Sequence, residues 1–169
     1  MTHSATDNRQ LLVEHITASQ TEHYRLAFSY VKNREAALDV VQESIVKALT
    51  KIGQLREPSH LKTWFYRILV NESMNYYRKN RGLVALDDVE YEQAAPEPDH
   101  AGRLDLYDAI DRLNPAEQTV IRLRFFEDLK LEDIAQITGA NLNTVKSRLY
   151  KSLKKLKDLT GEEIDDDAS

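Results

Sequence analysis

The stretch Leu131–Leu159, LEDIAQITGANLNTVKSRLYKSLKKLKDL, reads as two helices broken by one glycine. Leu131–Ile137 makes a short apolar-faced helix, and Gly139 lies just past its end, where a left-handed backbone is needed. Asn141 or Asn143 can cap a second helix that runs to about Leu159. At 100° per residue, Leu142, Val145, Leu149, Leu153 and Leu156 fall on one stripe and must pack on what precedes them. Opposite lie Asn143, Thr144, Ser147, Lys151 and Lys154, with Tyr150 nearby and Lys146 and Arg148 on the flanks. Ala135 is small enough for the two helices to approach closely. A short helix, a tight turn and a basic helix form the helix-turn-helix pattern.

Upstream, Asn114-Pro115-Ala116-Glu117 places an N-cap, a proline at the first helical position and a glutamate at the third. That signal opens a helix to about Phe126, and another is expected over Arg103–Leu113. Before it, Leu86–Gly102 holds Pro96, Pro98 and dense acids with little periodic apolar content, the composition of a flexible linker. In the N-terminal segment, Asn33 caps a helix whose Leu38, Val41, Ile45, Leu49 and Ile52 recur at helical spacing, with Gly53 as its stop. Ser59 is placed to cap a further helix, His60–Lys79, with Trp64, Ile68 and the Leu69/Met74 neighbourhood inward. Leu26, Tyr30 and Val31 point to an earlier helix over Ser19–Val31. No segment sustains period-two alternation. The expected fold is all-α: two small helical domains, 1–85 and 103–160, joined by an acidic flexible linker, 86–102, and followed by an acidic tail, 161–169.

The 169 residues include no cysteine, which excludes a disulfide scaffold, cysteine-ligated zinc and a thiol nucleophile. The five glycines stand alone, so no Gly-rich phosphate cradle can be built. His3, His15, His23, His60 and His100 are scattered without ligand spacing, and no nucleophile–base set can be named. Neither an enzyme, a metal site nor a cofactor is expected. No apolar run approaches the ~20 residues of a membrane helix, and Met1–Arg9 lacks the apolar core of a secretory signal. A soluble, cytoplasmic protein is expected.

The formal net charge of −5 conceals two basic blocks. Leu61–Gly82 carries Lys62, Arg67, Arg78, Lys79 and Arg81 against Glu72 alone. Asn141–Lys157 carries Lys146, Arg148, Lys151, Lys154, Lys155 and Lys157 with no acid. The intervening Leu86–Asp108 is strongly acidic, and so is the tail after Lys157. Salt screens charges beyond ~10 Å, so local fields rather than the total decide what each surface attracts.

In a helix-turn-helix, residues near the start of the second helix reach base edges in the major groove. Asn143, Thr144, Ser147, Arg148 and Lys151 are assigned to that contact, and Lys146, Lys154 and Lys155 to phosphates. The plainer alternative is a solvated amphipathic helix ending a bundle. Trp64-Phe65-Tyr66 and Tyr76-Tyr77 interleave with Arg67, Asn71, Asn75, Arg78 and Lys79, a mixture suited to unstacked bases. Aromatic runs in small helical domains are more often core, so spacing alone leaves that role open for Trp64 and Phe65. A free-standing helix-turn-helix regulator also remains open, although neither a sensor domain nor a dimer interface is visible.

Taken together, the motifs resemble a known family. Asp39-Val40-Val41-Gln42-Glu43-Ser44-Ile45 and Lys62-Thr63-Trp64-Phe65-Tyr66-Arg67-Ile68 with Asn71 look like region 2 of sigma-70 factors. Leu113–Glu117, Glu132-Asp133-Ile134-Ala135 and Thr144-Val145-Lys146-Ser147-Arg148-Leu149 look like region 4. Two regions and a short linker resemble the extracytoplasmic-function subclass, and within it the envelope-stress factors of low-GC Gram-positive bacteria. The resemblance implies a subunit that binds core RNA polymerase and directs promoter-specific initiation. It implies that Asp39, Gln42, Glu43 and Val46 meet the β′ clamp coiled coil, and that the C-terminal module sits on the β flap. It implies that Leu55, Arg56, Ser59 and His60 in the Leu55–His60 loop join Trp64, Arg67, Asn71, Asn75, Arg78 and Lys79 in capturing the single-stranded −10 element. The last helix becomes the −35 reader, and an anti-sigma partner, often membrane-anchored, is implied. Ile45 stands where many members have Phe, Asn114 where Pro is commoner, and Lys130 where a Ser or Thr cap is frequent. The loop between Leu55 and Leu61 departs most from the family.

Overall fold

The structure, a computed structural model, describes residues 5–93 and 104–164. Every regular element among them is helical: α1 Ala5–Ala18, α2 Gln20–Val31, α3 Arg34–Lys51, α4 Leu61–Gln93, α5 Leu106–Asp111, α6 Pro115–Ile121, α7 Leu131–Thr138 and α8 Leu142–Thr160. Single 3-10 turns, Ile52–Gln54 and Pro58–His60, shape the α3–α4 connection. Two compact units result, Met1–Asn80 and Arg81–Ser169. Helix α4 continues to Gln93, past the expected end at Lys79, so positions 86–93 of the expected linker are helical. Positions 94–102, and 165–169 of the expected tail, lie outside the described residues.

In the N-terminal unit the α2–α3 corner is set by backbone chemistry. Lys32 adopts a left-handed conformation (φ 55°) and its N–H donates to the Phe28 carbonyl at 2.8 Å. Asn33 then caps α3, its Oδ1 accepting from the Ala36 N–H at 3.0 Å. The buried face of α3 is Ala37, Val40, Ser44 and Ala48 rather than the large apolar stripe. Of that stripe only Ile52 is buried; Val41, Ile45 and Leu49 are half-buried and Leu38 is exposed. Small residues let a neighbouring helix come close, and the Ser44 hydroxyl is satisfied by donating to the Val40 carbonyl at 2.7 Å. The end of α3 precedes Gly53, which does not adopt the left-handed backbone of a helix-terminating glycine.

Helix α1 has no counterpart among the elements expected from sequence. It buries Leu12 completely and Asn8 nearly so, and Asn8 Nδ2 donates to the Leu55 carbonyl at 3.2 Å. Nor does Ser59 cap α4; its hydroxyl donates to Glu57 at 3.3 Å. Helix α4 buries Leu61, Phe65, Tyr66, Leu69, Val70 and Ser73, while Trp64 and Ile68 sit half-buried one step round the helix. Phe65 and Tyr66 close on His23 of α2, with ring centroids 4.6 and 5.4 Å away. His15 of α1 joins the cluster 5.2 Å from His23.

The C-terminal unit follows its sequence signals closely. Asn114 and Glu117 form a reciprocal capping box: Asn114 Oδ1 accepts from the Glu117 N–H at 2.9 Å, and Glu117 Oε1 accepts from the Asn114 N–H at 3.3 Å. Past Ile121 the helix widens into one π turn, Arg122–Phe126, reaching the expected end. Helix α5 is shorter than expected and starts at Leu106, capped by Asp105. Gly139 (φ 75°) closes α7, and of the two candidate caps Asn141 begins α8, accepting from the Thr144 N–H at 2.8 Å. Helices α5, α6 and α7 all pack on α8, which buries Val145, Leu149, Ser152, Leu156 and Thr160. A fully buried leucine such as Leu149 contributes about 1.5–3 kcal/mol.

Candidate nucleic-acid interface

Because the leucine stripe is spent on packing, the opposite side of α8 is left to solvent. Asn143, Lys146, Ser147, Lys151 and Lys154 are exposed, and Thr144 and Arg148 are half-buried beside them. Asn143, Ser147, Tyr150 and Lys154 recur on successive turns of one line. Tyr150, left out of the expected contacts, is 49% exposed in the middle of that line. An exposed aromatic among cations was a legible signal.

Lys155 departs from its expected role. Its Nζ donates to both oxygens of Glu117, at 2.8 and 3.0 Å. The Glu117 side chain is only 4% exposed, against 52% for Lys155. Lys155 is thus the counterion of a buried carboxylate that caps α6, so a phosphate would have to compete for it. Lys155→Met is expected to lower the stability of the C-terminal unit by about 1–3 kcal/mol, discounted for the exposed ammonium. Lys154→Ala should stay within ~0.5 kcal/mol. Urea unfolding of the full chain followed by circular dichroism compares them, and equal midpoints would refute the counterion role.

On α4, Trp64, Arg67, Asn71, Asn75 and Arg78 fall on one line turned away from the buried side; the last four are exposed and Trp64 is half-buried. The geometry therefore assembles five of the expected single-strand residues into a cationic and amide track with one indole. Arg56, Ser59 and His60 are exposed in the loop and turn that lead into α4. Leu55 is the exception: it is 7% exposed, and its side chain belongs to the core. Phe65 and Tyr66 are core as well.

Asp39, Gln42, Glu43 and Val46 form an exposed stripe on α3, with Val46 57% exposed at its end. Beside it runs a cleft of about 290 Å³ lined by Asp39, Val40 and Glu43 from α3 and Glu72, Asn75, Tyr76 and Lys79 from α4. Lys79 and Asn75 both border this cleft, Asn75 from the Trp64–Arg78 line. A hydrogen-bonded ion pair between Lys47 and Glu72 braces the two helices. The bond to Glu72 raises the Lys47 pKa above its ordinary value.

The comparisons with known proteins fit this geometry. Residues 16–82 match the model of sigma-70 region 2 and residues 103–156 that of sigma-70 region 4. The RNA polymerase sigma factor SigV of Bacillus subtilis is 49% identical over 159 residues, covering 92% of this chain and 95% of that protein. The ECF RNA polymerase sigma-E factor of Haemophilus influenzae is 32% identical, covering 85% and 90%. Among solved structures, the sigma factor RpoE of Bartonella quintana, in complex with the anti-sigma factor NepR, superposes with a TM-score of 0.65 at 27% identity. That match covers 86% of this chain and 94% of the other. CnrH, solved with the cytosolic domain of CnrY, shares the fold with a TM-score of 0.69 at 20% identity, covering 92% and 90%. The chain belongs to the sigma-70 family, in its extracytoplasmic-function subclass, and is a sigma factor that directs transcription. Among the described residues, no helix is long and apolar enough to cross a membrane.

Proposed function

We propose that the chain is a promoter-specificity subunit for core RNA polymerase whose four surfaces divide the work. Face α8 reads the −35 element as duplex, with Asn143, Thr144, Ser147, Arg148 and Lys151 toward base edges and Lys146 and Lys154 on phosphates. The α4 line Trp64–Arg78, with Arg56, Ser59 and His60, receives unstacked bases of the −10 element. Extruding a base costs a few kcal/mol, and a track of amides, cations and an indole supplies compensating contacts. The α3 stripe Asp39–Val46 meets the β′ clamp coiled coil, and the C-terminal unit rests on the β flap. The likeness to a sigma factor solved with the anti-sigma factor NepR supports an anti-sigma partner, and the motif resemblance to envelope-stress factors points to a cell-envelope stress regulon. The protein works in the cytoplasm and leaves the chemistry to polymerase.

The observation that carries this reading is the pairing of two differently built interfaces in one chain. One is a cationic helix face, the other a track of amides and cations with one indole. A free-standing regulator would need only the first. Run-off transcription on a promoter library, using bacterial core polymerase with and without the protein, tests it. Defined starts that require the protein are expected; duplex binding without redirected polymerase would instead establish the regulator reading.

A further inference from the structure

Asn8 is an unfavourable residue for the place it occupies. It lies in the first turn of α1, 4% exposed, on the face that also carries the fully buried Leu12 and the half-buried His15. Its Nδ2 donates to the Leu55 carbonyl at 3.2 Å, 47 residues along the chain. Its Oδ1 is buried with no hydrogen-bond partner among the described residues. Burying an amide with its oxygen unpaired offsets much of what the one bond contributes. An apolar side chain would fill the same space without that loss, so stability does not account for an asparagine here.

The acceptor accounts for it. The Leu55 N–H donates to the Ile52 carbonyl at 3.1 Å, closing the 3-10 turn Ile52–Gln54, and its carbonyl accepts from Asn8. Leu55 and Leu61 are both buried. Between them the chain comes out to solvent, with Arg56, Glu57, Ser59 and His60 exposed. Inside that loop the His60 N–H donates to the Glu57 carbonyl at 2.9 Å, and the Ser59 hydroxyl to the Glu57 carboxylate at 3.3 Å. Those two bonds shape the loop but tie it to no other element. The Leu55–Arg56 peptide is planar and trans. Holding its carbonyl toward α1 therefore also fixes the Arg56 N–H, which points the opposite way. Asn8 sets the plane from which the loop departs.

We propose that Asn8 is a positioning residue for the −10 contact: through the Leu55 carbonyl it fixes the angle at which the loop presents Arg56 and His60 to an unstacked base. This inference rests on the reading of that loop as part of the single-strand site. Hydrogen bonds weaken steeply once donor and acceptor leave the line, so a loop that departs at another angle discriminates less between bases. Asn8 itself touches no DNA and acts only through the loop.

The test is run-off transcription by core polymerase with the full chain, on promoter libraries randomised across the −10 element and, separately, the −35 element. Preference ratios among the bases are read position by position, because a smaller folded fraction lowers every transcript without moving a ratio. Arg56→Ala and His60→Ala define the −10 position that the loop reads. Asn8→Ala and Asn8→Leu should each flatten the ratio at that same position about three- to tenfold, and leave the −35 ratios unchanged. Unaltered ratios in both Asn8 variants, with the loop variants flattened, would overturn the proposal alone. Flattening by Asn8→Ala but not by Asn8→Leu would trace the effect to a cavity rather than the hydrogen bond, and flattening at a position the loop variants leave alone would place it elsewhere; either overturns the proposal. Loss of all transcripts from both Asn8 variants, with an unfolded circular dichroism spectrum, would make Asn8 a folding residue and overturn it too. If neither loop nor Asn8 variants move any −10 ratio, the loop's place in the single-strand site falls, and the proposal with it.

Discussion

Alanine at Asn71 and alanine at Lys151 are each expected to cut promoter-specific transcripts at least tenfold, yet by different routes. Lys151 stands on the exposed side of α8, where one good bidentate base contact is worth about 1–3 kcal/mol of discrimination. Its loss weakens recognition of intact duplex. Asn71 stands in the middle of the exposed α4 line, between Arg67 and Asn75, and on the proposed reading acts once bases have left the stack. A template with a pre-melted −10 region removes the cost of unpairing. It should therefore restore much of the Asn71→Ala activity and little of the Lys151→Ala activity. Run-off assays on closed and pre-melted templates make the comparison. Equal rescue of both variants would refute the division of labour between the two helices.

Stability of the N-terminal unit is expected to fall by about 3 kcal/mol as the pH drops from 6.5 to 4. His23 has no exposed surface, and neither ring nitrogen has a hydrogen-bond partner. Burial, aided by the neighbouring His15, pushes its pKa down to about 4. The groups around it are Phe65 and Tyr66 from α4 and His15 from α1. His15 is itself lowered by burial and by Lys62, with Glu22 opposing. Between pH 4 and 6.5 the unfolded chain binds a proton that the folded chain refuses. The stabilisation is therefore complete above about 6.5 and is lost on descent toward 4. His23→Leu should flatten this part of the profile and, by removing two unpartnered polar atoms, cost little at pH 7. Trp64, the sole tryptophan, lies in this unit and reports its urea unfolding. Parallel pH profiles for the original chain and the variant would refute the role of His23.

How much of this was legible beforehand differs between the two units. In the C-terminal one, three boundaries are written in local chemistry: the Asn114–Glu117 box, Gly139 and the Asn141 cap. The stripe of α8 is one-sided enough to separate its two faces, although Leu142 and Leu153 are only half-buried and Tyr150 joins the exposed side. In the N-terminal unit, packing chose differently from hydrophobicity. Helix α3 turns alanines and Ser44 inward and leaves Leu38 exposed, because close helix approach rewards small side chains more than apolar bulk. Helix α1 escaped notice because its burial rests on Leu12 and on Asn8, whose partner is the Leu55 carbonyl. The same tertiary neighbourhood takes Leu55 out of the single-strand set. Lys155 looked like its neighbours because nothing nearby in the sequence announces Glu117 as its partner.

The separation of duties on α8 has a consequence for retargeting. Asn143, Ser147, Tyr150, Lys151 and Lys154 are all exposed and none belongs to the buried stripe. On the proposed reading of α8, exchanging Asn143, Ser147 and Lys151 together as a cassette changes promoter preference while the buried stripe stays intact. Lys155, one position along from Lys154, must be left alone: its partner is a buried carboxylate at the root of α6, and exchanging it would disturb α6, against which α8 packs.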